Sequence, residues 1–124
     1  MTDKQSIEET LIFQPRFNDM ELIPCITTSH KTGEVLMFAW MNKQALEKTL
    51  ETGEVHYFSR SRNELWHKGA TSGHIQKVIE MRTDCDQDCI LIKAEINGEE
   101  IACHTGRESC FYRNITKDGL TFED

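Results

Sequence analysis

The chain lacks several features, and each absence narrows what it can do. No stretch approaches the roughly 20 apolar residues of a membrane span. No apolar run of signal-peptide length follows Met1-Thr-Asp-Lys-Gln-Ser6. A cytoplasmic protein without a membrane partner is expected, with its cysteines reduced. Basic charge is scarce: 14 Lys and Arg face 21 Asp and Glu, for a net charge of −7. General nucleic-acid affinity needs a basic footprint, so nucleic acid is not an expected partner. A small phosphorylated ligand is still allowed, because phosphate needs only a local cluster of Arg, Lys or backbone N–H groups. Internal repeats, linkers and low-complexity tracts are missing, and 124 residues suit one domain over 1–124. Within it, 1–18 reads as an N-terminal arm with a short helix and 116–124 as a polar tail. Five cysteines are an odd number and fit a disulfide framework poorly. Metal ligation is the better reading, with Cys25 and Cys89 left over.

Strand signals dominate the rest. Leu22 to Thr28 and Val35 to Trp40 read as strands around the turn His30-Lys-Thr-Gly33. Asn42 caps a helix through about Glu51, with Ala45, Leu46 and Leu50 on one face and Gly53 at its end. Val55 to Phe58, Leu65-Trp66, Gln76 to Arg82 and Ile90 to Ile96 follow as strands, with Thr71-Ser-Gly73 as a turn. Asn97-Gly98 is a strong hairpin signal leading into a strand through Cys103, and Cys110 to Ile115 closes the ordered part. The fold class expected is mainly β, bordering on α+β: antiparallel sheets with one clear helix.

Two clusters carry the chemistry. Asp84-Cys85-Asp86-Gln87-Asp88 and Cys103-His-Thr-Gly-Arg-Glu-Ser-Cys110 place three thiols and three aspartates within 27 residues (Cys89 apart). Thiolates are soft ligands that select zinc, while carboxylates are hard ligands that select magnesium. Asp84, Asp86 and Asp88 share one face of an extended chain, where they repel unless a cation neutralises them. The spacing resembles the start of an EF-hand, but Cys89 stands where that loop needs Gly and a β-like run follows. Cys85 would then face the other way. If Asn97-Gly98 turns a two-residue hairpin, residue 92 pairs with Cys103, and Cys85 lies roughly 23 Å further along a straight strand. Sulfurs on one zinc are at most about 5 Å apart. Either the strand folds back near Asp88, or Cys85 meets Cys103 and Cys110 of a second chain. The second option predicts a two-fold homodimer with zinc between the subunits.

Three thiolates make zinc a weaker Lewis acid than three imidazoles do, so water on it would need a base. His104 is nearest in sequence, with His67 and His74 also candidates. Arg60 and Arg62 flank Ser61, and Lys68-Gly69-Ala-Thr71-Ser72-Gly73 follows. Arginine forks and exposed backbone N–H groups suit a phosphorylated ligand. Trp66, Trp40, Tyr57 and Phe58 could stack on a base or pack the core.

Together, Tyr57-Phe-Ser-Arg-Ser-Arg62, Leu65-Trp-His-Lys-Gly-Ala-Thr-Ser-Gly73, Asp84-Cys-Asp-Gln-Asp88 and Ala102-Cys-His-Thr-Gly-Arg-Glu-Ser-Cys-Phe-Tyr-Arg113 resemble the phosphoribosyl-AMP cyclohydrolase family, over about residues 20 to 115. The resemblance implies the third step of L-histidine biosynthesis. In that step the N1–C6 bond of the adenine ring of 1-(5-phosphoribosyl)-AMP is opened hydrolytically, giving the phosphoribosyl-formimino-aminoimidazole carboxamide ribotide. It implies an intertwined homodimer. Zinc is shared across its interface on Cys85, Cys103 and Cys110, and magnesium sits on Asp84, Asp86 and Asp88. A zinc-activated water would attack C6, with His104 or His74 moving the proton and Lys68 at the same centre. Arg60, Ser61, Arg62, Trp66, Thr71 and Ser72 become candidate substrate contacts, with magnesium assisting a phosphate. The fused pyrophosphohydrolase of some relatives is not expected here. Two other readings compete: a structural zinc module with Cys89 as fourth ligand, and a thiol redox protein. The latter is disfavoured because the chain has no C-x-x-C pair.

Overall fold

Two strands with strict alternation of buried and half-buried residues form the centre of the molecule. They are β1 (Ile23–Ser29) and β6 (Ile90–Ile96), whose inward side chains include Ile23, Cys25, Thr27, Ile90, Ile92 and Ala94. A computed structural model describes residues 4–123. The other elements are α1 (Lys4–Glu9), β2 (Val35–Met41), α2 (Lys43–Thr52), β3 (His56–Ser59), β4 (Glu64–His67), β5 (Gln76–Thr83), β7 (Arg113–Thr116) and β8 (Gly119–Phe122). Six strands form one sheet in the order β4-β3-β2-β1-β6-β5, and β7-β8 form a separate ribbon. Among the described residues no helix is long and apolar enough to cross a membrane.

The expectation of purely antiparallel sheets is corrected. β1 and β6 run parallel, with Thr27 opposite Ile92, so the sheet is mixed. It also curls: Glu54 bridges Lys77, and the Val55 N–H bonds the Gln76 carbonyl at 2.9 Å, bringing the far ends of the sheet together. Within the curl lies a buried polar chain. Thr27 Oγ1 is 2.6 Å from the Tyr57 hydroxyl, which donates to Gln76 Oε1 at 2.7 Å.

Helix α2 forms where its caps predict. Asn42 accepts from the Ala45 N–H at 2.8 Å, and Gly53 ends the helix at φ 74°. Its buried face is Ala45, Leu46 and Thr49, whereas Leu50 is exposed. Thr49 is admitted because its hydroxyl donates to the Ala45 carbonyl at 2.8 Å and accepts from the His56 N–H at 2.9 Å. A short helix also occupies part of the arm, as expected, so the described chain has two.

The Asn97-Gly98 hairpin does not form. β6 already has β1 on one side and β5 on the other, which leaves no edge for residues 99–103. That segment instead turns on itself, with the Ala102 N–H bonded to the Glu108 carbonyl and the Cys103 N–H to that of Arg107. The hairpin that does form joins β5 to β6 across residues 84–89. Its tip holds Asp84-Cys-Asp-Gln-Asp88 as a turn rather than an extended ladder. The polar-tail reading of 116–124 is likewise corrected, since β7 and β8 pair there, Ile115 opposite Leu120. Ile115 and Leu120 are 88% and 56% exposed, with Phe122 at 64%.

Candidate active-site cleft and carboxylate loop

Two loops meet in one concavity. One connects β4 to β5 and carries Lys68, Gly69, Thr71, Ser72 and His74. The other follows β6 and carries Cys103 and His104. Together with Arg62, Trp66 and His67 they line a cleft of about 530 Å³. Gly69 makes the first loop possible. Its φ is +86°, and a Cβ there would fall 2.3 Å from the His74 backbone, so only glycine lets the loop close on itself. The second loop is pinned from below: the Ser109 hydroxyl donates to the Val35 carbonyl at 2.8 Å, and the Cys110 N–H to that of Leu36 at 2.7 Å.

The Cys103 and Cys110 thiols lie against each other beside the Lys68 ammonium. Burial pushes the Cys103 thiol up. Hydrogen bonds from Thr105, one at 3.1 Å from its hydroxyl, together with the Cys110 thiol and the Lys68 charge, outweigh this and hold it below the usual range. Lost hydration and the neighbouring Cys103 raise Cys110 to about 11. The pair therefore favours one thiolate, on Cys103. Burial lowers Lys68, partly countered by the two thiols, and its ammonium sits 5.0 Å over the Trp66 ring. His74 Nδ1 is buried and has no hydrogen-bond partner. Such an atom suits a ligand or a transferred proton, because an unpaired buried nitrogen is otherwise a net cost.

At the β5–β6 tip the three carboxylates Asp84, Asp86 and Asp88 bring one oxygen each within 4.8 Å of the others. Hydrogen bonding with Asp84, then with Asp86, raises Asp88 to about 6, and the same Asp88 contact lowers Asp86. Crowding makes one of these carboxyls hold a proton more readily than an isolated one, and a hard divalent cation would displace it. The sequence foresaw the cluster but assigned it to strand alternation. The turn brings it about, with the Asp88 and Cys89 N–H groups both bonding Asp84 Oδ1 at 2.9 and 3.1 Å.

The three expected zinc thiols do not gather within one chain. Among the described residues the aspartate trio is the only such cluster of three. Cys85 lies exposed on the carboxylate loop, while Cys103 is buried at the cleft. The chain length assumed for the separation of Cys85 from Cys103 rested on the hairpin that does not form. Cys25 is a buried core thiol, pushed up to about 12 chiefly by burial. Cys89 is half-buried, raised by burial and by the charge of Asp84 and Asp88.

The candidate substrate contacts divide. Arg62, Trp66, Thr71 and Ser72 line the cleft, whereas Arg60 and Ser61 line a neighbouring depression that shares Trp66 as a wall. Arg60 lies 5.0 Å over the Trp40 ring, and Trp40 in turn lines a third hollow with Arg16 and Asp88. Trp66 and Trp40 are thus walls shared between neighbouring hollows, the first beside Cys103 and the last beside Asp88. Sequence reasoning passed over Arg16, which no motif marks, and Thr105, which stands inside the cysteine motif. It named His67 only in passing. His67 also lines the cleft, with its Nε2 2.8 Å from Glu54 Oε1 and its ring stacked on His56 at 4.3 Å.

Comparison with known proteins agrees with the motifs. A family model described as Phosphoribosyl-AMP cyclohydrolase matches residues 37–112. A phosphoribosyl-AMP cyclohydrolase of Bradyrhizobium diazoefficiens is 60% identical over 122 residues, covering 95% of this chain and 86% of the relative. One of Nitrobacter hamburgensis is 55% identical over 94% of this chain and 78% of its own. One of Brucella canis is 52% identical over 95% and 85%. The chain therefore belongs to the phosphoribosyl-AMP cyclohydrolase family, whose members are hydrolases.

Proposed function

We propose that the chain opens the adenine ring of phosphoribosyl-AMP by hydrolysis, in histidine biosynthesis, and that it does so as a homodimer. The observation that carries this reading is the cleft, which His74, Lys68 and Cys103 line from two loops, with His74 Nδ1 buried and unpartnered behind its wall.

Cys103 and Cys110, with Cys85, are the residues that would hold zinc. Their pairing, with one thiol lowered and a cation alongside, suits a soft metal. Bound there, zinc would supply Lewis acidity that lowers the pKa of a water, which a base would still have to help deprotonate. The remaining work falls to the chain. His74 or His104 accepts the proton of the attacking water. Ribosylation at N1 leaves the ring cationic, so C6 is already electrophilic. The water oxygen bonds C6 and the C6–N1 bond breaks. C6 leaves as a carboxamide once the proton remaining on that oxygen passes to the departing N1, which keeps its ribosyl group within the formimino unit. Lys68, Arg62, Thr71 and Ser72 bind phosphate on the cleft wall, and Arg60 and Ser61 extend that surface toward the carboxylates. Asp84, Asp86 and Asp88 are the residues that would hold magnesium, which would supply positive charge for a phosphate.

Two features support the dimer. Cys85 is exposed on a loop apart from the other thiols. The β7-β8 ribbon, marginal in water by itself, offers Ile115, Leu120 and Phe122 to a second surface.

The test is ring-opening turnover of phosphoribosyl-AMP, followed by absorbance, on zinc-loaded protein with and without magnesium, beside Cys103→Ala. Magnesium-stimulated turnover lost in the variant is expected. No turnover, with zinc held by four protein ligands, would replace this reading with a structural zinc module.

A further inference from the structure

Between two of the three clustered carboxylates stands Gln87, a residue whose side-chain hydrogen bonds all lead away from the loop. It is 4% exposed, in a loop whose neighbours Asp84, Cys85 and Asp88 are open to water. Its backbone has φ 59°, a left-handed conformation that side-chain-bearing residues rarely adopt. Its side chain reaches the N-terminal arm. Oε1 accepts from the Gln14 N–H at 2.7 Å, while Nε2 donates to the Ile7 carbonyl at 3.3 Å and the Ile12 carbonyl at 3.4 Å. Its carbonyl accepts from the Arg16 N–H at 2.8 Å. Four hydrogen bonds thus tie the arm to one residue of the loop. On the loop side, the Gln87 N–H bonds the Asp84 carbonyl at 3.1 Å.

We infer that Gln87 is a positioning residue that makes the N-terminal arm part of the divalent-cation site: its bonds to residues 7–16 hold the turn in which Asp84, Asp86 and Asp88 converge. The inference rests on the reading of those three carboxylates as the cation site. The physical argument is local. A change of φ and ψ at residue 87 swings Asp88 relative to Asp86. A left-handed non-glycine residue keeps its conformation only where its surroundings over-determine it. Here the surroundings are the arm. Binding free energies are reciprocal, so whatever the arm contributes to cation affinity, the cation returns as order in the arm.

The experiment uses the full-length, zinc-loaded protein, with Mn²⁺ as the probe, counted by the loss of its free electron-paramagnetic-resonance signal. Gln87→Met keeps the volume and removes the three side-chain bonds. Gln87→Gly removes them and also relieves the left-handed backbone. Both variants should bind Mn²⁺ about ten-fold more weakly than the parent, within the range usual for site-to-site coupling, with zinc content unchanged. In the parent, Mn²⁺ should slow hydrogen exchange at the Gln14 and Arg16 amides, a readout that needs no variant to fold. Parent-like affinity in both variants would overturn the inference. So would a loss in Gln87→Gly alone, which would trace the effect to packing or backbone rather than to the side-chain bonds. So would amides at Gln14 and Arg16 that are indifferent to the ion. A parent that takes up no Mn²⁺ at all would refute the magnesium assignment itself, which is a separate outcome.

Discussion

Replacing Gly69 by alanine tests the architecture of the cleft. The added methyl carbon would stand 2.3 Å from the His74 carbonyl carbon and oxygen and 2.4 Å from the Ile75 nitrogen, against 3.4 Å for ordinary contact. These are backbone atoms, so no side chain can swing aside, and the loop must open by about 1 Å. Alanine at φ +86° costs roughly 1–2 kcal/mol, and forced overpacking typically adds about 1–3 kcal/mol. The sum is about 2–5 kcal/mol, a large part of a stability of about 5–15 kcal/mol. With an unfolding entropy of about 2.1 cal/mol/K per residue over 124 residues, Tm should fall by about 8–19 °C. Gly73→Ala is the internal control. Its φ is +88°, but nothing lies within 4 Å of the added carbon, so only the backbone term of about 1–2 kcal/mol remains. Urea unfolding of both variants, with chelator present so that metal linkage does not contribute, separates clash from conformational strain. Gly69→Ala should also lose ring-opening turnover, since the displaced loop carries Thr71, Ser72 and His74. A Gly69→Ala protein no less stable than Gly73→Ala would refute the argument.

Four further outcomes are expected. Because Asp88 is raised to about 6, protons compete with cation at the carboxylate loop, so Mn²⁺ affinity should drop as pH falls through 6. The metal-free folded chain binds a proton between about pH 4 and 6 that the unfolded chain has released. Its stability should therefore decline as pH rises across that window, and urea titrations at several pH values check the sign. Lys68→Met removes a charge that favours the Cys103 thiolate, so the pH profile of Cys103 alkylation, read by peptide mass spectrometry on metal-free protein, should move to higher pH; an unmoved profile would deny the contact. Tyr57→Phe strands Thr27 and Gln76 in the core and should cost about 1–3 kcal/mol in urea unfolding with m unchanged.

How much of this was legible in the sequence depends on range. Helix α2 was readable because Asn42 and Gly53 act within one turn of its ends. β1 and β6 were readable as strands from their own composition. Their parallel pairing was not: it joins Thr27 to Ile92 and leaves no turn signature between them. That pairing also explains the failure at Asn97-Gly98, where the local signal met a strand with both edges filled. The β7-β8 hairpin is a different kind of miss, because its signal was present. Lys117-Asp118 form its two-residue turn and Gly119 opens β8, in a stretch passed over as polar. At the site, motif residues were identifiable individually. The Gln87 bonds to the arm were not, since their partners are backbone groups 71 to 80 positions away.

The parallel register of β1 and β6 also governs how the chain is born. Thr27 leaves the ribosome 65 residues before Ile92, its partner across the sheet. At synthesis rates of about 5–20 residues per second, β1 waits roughly 3–13 s with one hydrogen-bonding edge open. β2 can cover its other edge almost at once, through the turn at residues 30–34. The exposed interval belongs to an apolar strand, Ile23–Ser29, of the kind that pairs with whatever edge is near. Synthesis at high concentration should therefore be limited by this delay rather than by the stability of the finished sheet, and slowing translation between residues 30 and 92 should increase aggregation of a chain whose folded form is unchanged.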